Sequence, residues 1–166
     1  MDVDFRPDQA DLDDEGFFLA FHAGRIGTEA FGHREHIRLA FIYLLRYPDL
    51  AEAALRFRRA FRSFVEAQGV AHIYNETLTW AYLVLVNQRM HSAHFRDSLE
   101  FLEHNQELGT HRRGLINRYY NLDDVTQSPL AKAVFVLPNP MAPRGKGTSE
   151  EAPHAAQKAI DPHPVE

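Results

Sequence analysis

The amino-acid sequence predicts an all-α protein, built as a single compact bundle of six or seven helices. Apolar residues recur at spacings of three and four through the middle of the chain, which is the period of a helix face. No alternating strand pattern competes, although Val134 to Leu137 also suits an extended conformation. With 166 residues, 45% of them hydrophobic and 12 of them Phe, the chain has room for one well-filled domain.

The two ends of the chain differ in composition from its middle. Residues 1–15 hold seven Asp or Glu side chains against Arg6, so they form an acidic arm. Residues 138–166 carry six of the nine prolines and few apolar side chains. Such a segment buries too little surface to offset its ordering entropy, so we expect a disordered tail. The helical domain is therefore residues 16–137, where charge is nearly balanced.

The first two helices are bounded by residues that end helices. Residues 17–24 form a short apolar helix that ends at Gly24, where a left-handed cap residue is natural. A longer helix runs from Glu29 to Tyr47. It ends there because Pro48 disfavours the helical conformation in the residue before it.

The third helix has the clearest local signal in the chain. Asp49 followed by Glu52 forms a capping box, and Gly69 supplies the end. The apolar residues between them have the spacing of one buried helix face. They are Leu50, Ala53, Ala54, Phe57, Ala60, Phe61, Phe64 and Val65.

The fourth helix, from about Glu76 to His91, is apolar nearly all round, which indicates a central, fully buried position. Shorter helices follow from Phe95 to His104 and from about His111 to Tyr120. The last helix begins with Ser128 as its cap and Pro129 at its first position.

Composition excludes several classes of function. The chain has no cysteine, so disulfides, thiolate metal sites and cysteine nucleophiles are excluded. No apolar run approaches the roughly 18–20 residues of a membrane span, and the acidic N-terminus is unlike a signal peptide. We therefore expect a cytoplasmic protein that has no membrane partner. Binding to nucleic acid is not expected either, because the helical domain lacks a strong positive charge.

The first candidate site is the pair His33 and His36 on the second helix. Residues three apart lie on one helix face, and this face continues through Ala40 and Tyr43 toward the core. Two imidazoles that converge inside a bundle can hold a divalent metal such as Fe, Zn or Mn. Alternatively, each ring hydrogen-bonds a neighbouring carbonyl or side chain at the edge of the core.

The second candidate site lies where the chain enters the fourth helix. Asn75 can cap the free amides, and Glu76 complements the positive helix end. Buried polar groups also need partners, so a carboxylate opposite the histidine helix would supply a third metal ligand or a general base. On this hypothesis Glu76, His33 and His36 are the catalytic residues and the metal ligands. Residues that position the substrate would be Tyr74, Thr77 and Thr79, with Arg38 binding an anionic group on it.

Arginines on the third helix and just before it form a basic stripe: Arg46, Arg56, Arg58, Arg59 and Arg62. Most of them lie opposite the apolar face, which is typical of a solvated polar surface. The functional alternative is docking of an acidic segment, including the chain's own acidic arm.

Four segments together resemble a group of small bacterial all-helical proteins without an assigned activity. They are Phe-x-His-x-x-His-Ile-Arg-x-Ala at 31–40, Tyr-Asn-Glu-Thr-Leu-Thr at 74–79, Arg-Tyr-Tyr at 118–120 and Ser-Pro-Leu-Ala-Lys-Ala-Val-Phe-Val at 128–136. The group has an H-x-x-H-L-R-x-A helix, a Y-H-E-T-I-T segment, a YYS-like segment and an A-R-x-x-F-V ending. This chain has Asn75 where the group usually has His, with His72 nearby. The resemblance implies one shared polar site containing His33, His36, Arg38, Tyr74, Glu76, Thr77 and Thr79.

Two functional hypotheses follow from these candidates. The first is a small-molecule enzyme with a buried His/Glu pocket, either metal-dependent or acting by general acid–base chemistry. The alternative is a non-catalytic module that binds a ligand in the same pocket, or a protein partner through the stripe from Arg46 to Arg62. The 12 Phe residues in so short a chain are also compatible with a homodimer.

Overall fold

The computed structural model describes residues 12–110 and 114–138, and within these ranges the chain is helical and contains no strand. The prediction of an all-α bundle is confirmed, with eight α-helices within these ranges where six or seven were expected. They are α1 (Asp14–His22), α2 (His33–Arg46), α3 (Leu50–Ala67), α4 (Glu76–Ser92), α5 (Ser98–His104), α6 (Gln106–Gly109), α7 (Leu122–Gln127) and α8 (Pro129–Ala133). Between them the described residues also form short 3₁₀ turns at Thr28–Ala30, Ala71–Ile73 and Leu115–Arg118. Most of the expected acidic arm and almost all of the expected tail fall outside the described residues.

Helix α1 begins three residues earlier than the apolar pattern indicates. The Asp13 carboxylate accepts a 2.7 Å hydrogen bond from the Gly16 amide and so caps the helix. Asp14 and Glu15 occupy the first turn, where negative charge complements the helix dipole. These acidic residues, which the sequence assigned to the arm, therefore begin the first helix. Gly24 follows the helix with φ of +66°, the left-handed conformation expected there.

Helix α2 is the centre of the bundle and begins at His33 rather than at Glu29. A separate 3₁₀ turn at Thr28–Ala30 precedes it, and Glu35 accepts a 3.0 Å hydrogen bond from the Gly32 amide at its start. Every residue from 37 to 44 is buried, because α1, α3, α4, α5 and α6 all pack around this helix.

Helices α3 and α4 pack against α2 and against each other. The Asp49 carboxylate caps α3 through the Glu52 amide at 2.8 Å, and the apolar stripe is buried as predicted except at Leu50 and Ala60, which are half-buried. Gly69 follows the end of α3 in the left-handed conformation, with φ of +71°. Helix α4 is less enclosed than expected, since its Trp80 and Val84 side chains remain half-buried. None of the described helices combines the length and the apolar character that crossing a bilayer requires.

The C-terminal part differs most from the sequence prediction. Helices α6 and α7 were not predicted, and the expected helix from His111 to Tyr120 is a 3₁₀ turn in its described part. Helix α8 is confirmed, with the Ser128 hydroxyl capping the Ala131 amide at 3.1 Å. The chain leaves α8 extended at Val134 (φ −137°, ψ 163°).

Candidate functional site

A cavity of about 280 Å³ lies where the start of α2, the C-terminal half of α3 and the start of α4 meet. Its polar lining includes His33, His36, Asn75, Thr79 and Tyr82. Its apolar lining consists of Phe31, Phe61, Phe64, Val70, Ile73 and Leu78. The structure therefore brings three of the predicted site residues, the two histidines and Thr79, to one space.

The two histidines have different surroundings in this cavity. Nε2 of His33 lies 2.7 Å from the Leu108 carbonyl oxygen and donates to it, so this nitrogen carries a proton. The His36 ring instead packs edge-on against Phe61, with ring centroids 4.6 Å apart, and beside Phe57 at 5.2 Å. The two imidazole centroids are 6.5 Å apart. For His33 the hydrogen-bonded alternative weighed from the sequence is the one observed.

Tyr82 is a cavity residue that the sequence analysis missed. Its side chain is 4% exposed and its ring lies edge-on to His33 at 4.8 Å. The hydroxyl is buried and has no hydrogen-bond partner among the described residues. Burial raises the pKa of this phenol well above its usual value, so the group stays protonated. The available signal was its spacing, since Tyr82 follows Thr79 by three positions on the same helix face.

Asn75 and Thr79 are held by hydrogen bonds within the fold. The Asn75 side chain accepts from the Leu78 amide at 3.0 Å and donates to the Val125 carbonyl at 2.8 Å. Thr79 donates its hydroxyl to the Asn75 carbonyl oxygen at 2.8 Å. Asn75 is therefore both the cap of α4 and a link from α4 to α7.

The Glu76 side chain does not line the cavity but faces arginines of α3. One oxygen accepts from the Tyr74 hydroxyl at 2.7 Å and from Arg62 at 3.1 Å. The other accepts from the Trp80 indole at 2.9 Å and pairs with Arg58 at 2.5 Å. Burial alone would raise the pKa of this carboxyl, but the hydrogen bonds from Tyr74 and Trp80 and the charge of Arg58 outweigh it and lower the pKa.

The predicted metal set of His33, His36 and Glu76 is not assembled in the residues that the structure describes. Within those ranges, no three His, Asp or Glu side chains are grouped so that they could hold a metal ion. The physical reason is the direction of Glu76, whose carboxylate is drawn to two guanidinium groups on α3. A general base also needs a lone pair free to accept a proton, and both Glu76 oxygens are already engaged.

Arg38, predicted to bind an anionic group of the substrate, is instead a buried link between helices. Its side chain is 4% exposed and donates to the Ser98 hydroxyl of α5 at 2.9 Å. It also donates to the Leu12 carbonyl, pairs with Asp14 of α1 at 3.5 Å and lies over the Phe17 ring. Burial lowers the pKa of Arg38, partly offset by the charge of Asp14. Arg38 thus connects α1, α2 and α5 rather than the cavity.

Two further predicted site residues, Thr77 and Tyr74, bond to other parts of the protein and do not line the cavity. The Thr77 hydroxyl donates to the Val134 carbonyl at 2.8 Å and accepts from the Val136 amide at 3.0 Å. It therefore tethers the segment after α8. Tyr74 bonds to Glu76 and carries Arg62 over its ring at 4.6 Å.

The basic stripe is largely neutralised by ion pairs. Arg46 pairs with Glu15, and Arg56 pairs with Glu52 at 2.9 Å. Arg58 and Arg62 are the partners of Glu76. The stripe is therefore not a continuous row of free cations. Among the described residues, Arg59 is the one arginine of the stripe that has no ion pair.

Among the described residues, the cavity and its buried Tyr82 hydroxyl are thus the features of this region that could receive a ligand. Comparison of the chain with protein-family models, with curated proteins and with solved structures finds no match.

Proposed function

We propose that this protein binds a small, uncharged, ring-containing molecule in the cavity between α2 and α4. The observation that carries the proposal is the buried Tyr82 hydroxyl, which lacks a partner among the described residues and belongs to the wall of that cavity. Walls that are mostly apolar with a few polar groups are typical of small-molecule sites.

The size of the cavity supports a ligand of one or two rings. An apolar cavity of roughly 150 Å³ accommodates benzene, and this one has about 280 Å³. Phe31, Phe61 and Phe64 supply flat surfaces against which a ring can stack or pack edge-on.

The polar groups of the cavity support a neutral ligand with a hydrogen-bonding group. No Asp, Glu, Lys or Arg is among the described residues of the lining, so no charged partner is in place for an ion. A buried hydroxyl left without a hydrogen bond costs about 1–3 kcal/mol, which a ligand atom bonded to Tyr82 would recover. The neighbouring His36 ring, 6.3 Å from Tyr82 by centroid, lies where it can contact the same ligand.

Binding, rather than catalysis, is the function that this geometry supports best. The carboxylate required by the enzyme hypothesis belongs to the arginine network of α3, so acid–base chemistry in the cavity would depend on His33 and His36 alone. The ligand-binding alternative needs only the cavity and the Tyr82 hydroxyl.

Titration with indole tests the proposal, because indole has two rings and one N–H donor. We expect chemical-shift changes in the ¹⁵N spectrum centred on residues of the cavity wall. Tyr82→Phe should weaken indole binding about three- to tenfold, the value of one neutral hydrogen bond. Leu78→Trp fills the cavity and should abolish the indole-induced shifts of its wall residues.

The matched control is Tyr119→Phe, which deletes a hydroxyl from an exposed tyrosine outside the cavity and should leave the affinity unchanged. Each variant must first show a cooperative thermal transition. The proposal is wrong if indole shifts no cavity resonance, or if a folded Leu78→Trp protein binds indole as tightly as the wild type.

A further inference from the structure

A second, larger concavity of about 850 Å³ lies on the other side of α3, between α1, the end of α2 and α3. We call it the α1–α3 groove. Among the described residues that line the groove, only Phe64 also borders the first cavity. Apart from this shared ring, the groove and the first cavity are separate sites.

The floor of the groove is aromatic. Phe18 lies 5.4 Å from Tyr43 by ring centroid, and Phe21 lies 5.0 Å from Phe64. Tyr47 extends this surface, with its ring 6.0 Å from Tyr43. Five aromatic residues thus line the groove, a lining that suits an aromatic ligand.

The rim of the groove carries one uncompensated positive charge among the described residues. Arg56 and Glu52 neutralise each other at 2.9 Å. Arg59 lines the groove, is exposed and has no ion pair within the described ranges. The histidine that lines the groove, His22, is hydrogen-bonded to the Tyr43 hydroxyl at 2.9 Å, and burial lowers its pKa so that it stays neutral near pH 7.

From this pairing of an aromatic floor with one free guanidinium, we propose that the α1–α3 groove binds an aromatic monocarboxylate. The ring system lies on Phe18, Phe21 and Phe64, and the carboxylate pairs with Arg59. A planar guanidinium matches a carboxylate with two parallel hydrogen bonds, which gives both affinity and orientation. A dianion is not matched, since the groove offers one net charge.

The test compares 2-naphthoate with 2-naphthamide on the full chain by isothermal titration calorimetry. The two probes share a ring system and differ in charge. We expect naphthoate to bind at least fivefold more tightly than naphthamide. Arg59→Gln should remove that preference by weakening naphthoate about tenfold, with naphthamide unchanged. Arg34→Gln, at an exposed arginine outside the groove, should change neither affinity.

Two cavity-filling variants decide where the probes bind. Ala60→Trp places an indole in the α1–α3 groove and should abolish naphthoate binding, whereas Leu78→Trp fills only the first cavity and should not. Equal affinity for the two probes overturns the proposal. So does a naphthoate affinity that survives Arg59→Gln, or one that is lost in a folded Leu78→Trp protein but retained in Ala60→Trp.

Discussion

Replacing Glu76 by Gln separates a structural role of this carboxylate from a role in ligand binding. The substitution keeps the shape of the side chain and one acceptor oxygen, but it removes the charge that faces Arg58 and Arg62. If the contacts described above define its role, Glu76→Gln destabilises the junction of α3 and α4 and leaves the cavity intact.

The expected loss of stability follows from the exposure of the two arginines. Arg58 is 24% exposed and Arg62 is 45% exposed, against 5% for Glu76. The Arg58 contact therefore counts as a largely buried charged hydrogen bond, about 2 kcal/mol, and the Arg62 pair contributes roughly 1 kcal/mol or less after screening by solvent. The sum is about 2–3 kcal/mol, which lowers the melting temperature by roughly 6–9 °C for a protein of this size.

The assay is urea denaturation monitored by circular dichroism at pH 7, with Glu52→Gln as the control. Glu52 also pairs with an arginine of α3, but this pair is exposed, so its loss should not measurably move the midpoint. A Glu76→Gln protein as stable as the wild type would refute the structural reasoning. If the same variant also failed to bind indole, Glu76 would contribute to the ligand site.

Three further predictions concern the same elements. Because the pKa of Glu76 is lowered on folding, its stabilisation is present above the unfolded pKa and is lost as pH falls through the folded pKa. The stability difference between wild type and Glu76→Gln should thus be constant from pH 6 to 8 and shrink on acidification below about pH 4.5. Tyr82→Phe should leave the stability of the ligand-free protein unchanged or raise it by up to about 1 kcal/mol, since no hydrogen bond of the described structure is lost. Tyr120→Phe loses its bond to the Val136 carbonyl and should destabilise by about 1 kcal/mol; equal denaturation midpoints for the two variants would contradict this. Thr77→Val removes both hydrogen bonds to the segment after α8 and should speed its cleavage in limited proteolysis, whereas Thr77→Ser should not. Identical cleavage rates would show that the tether does not hold the segment.

The parts of the fold that were predictable from the sequence depend on local interactions. The caps Asp49, Asn75 and Ser128 were identified because a cap involves residues within one helical turn. Helices α6 and α7 were missed because four and six residues are too few to show a helical period. The start of α2 was misplaced because a 3₁₀ turn at Thr28–Ala30 has nearly the same apolar spacing as an α-helix.

The same difference between local and long-range interactions applies to the candidate site. The shared face of His33 and His36 follows from helix geometry, whereas their grouping with Thr79 in one site was implied by the family resemblance. The direction of Glu76 was not predictable, because its arginine partners lie 14 and 18 positions earlier and have the pattern of a solvated surface. Local sequence shows which groups need partners, while the packing of α3 against α4 decides which partners they find.

The ring of Phe64 belongs to the walls of both the first cavity and the α1–α3 groove, so it lies between the two sites. This ring packs against both Phe31 and Phe21, at 4.8 and 5.0 Å between centroids, and these two rings also lie 5.5 Å from each other. A ligand that rotates the Phe64 ring from either site would change the volume of the other site. Thermodynamic linkage then requires that each ligand alters the affinity of the other by the same factor.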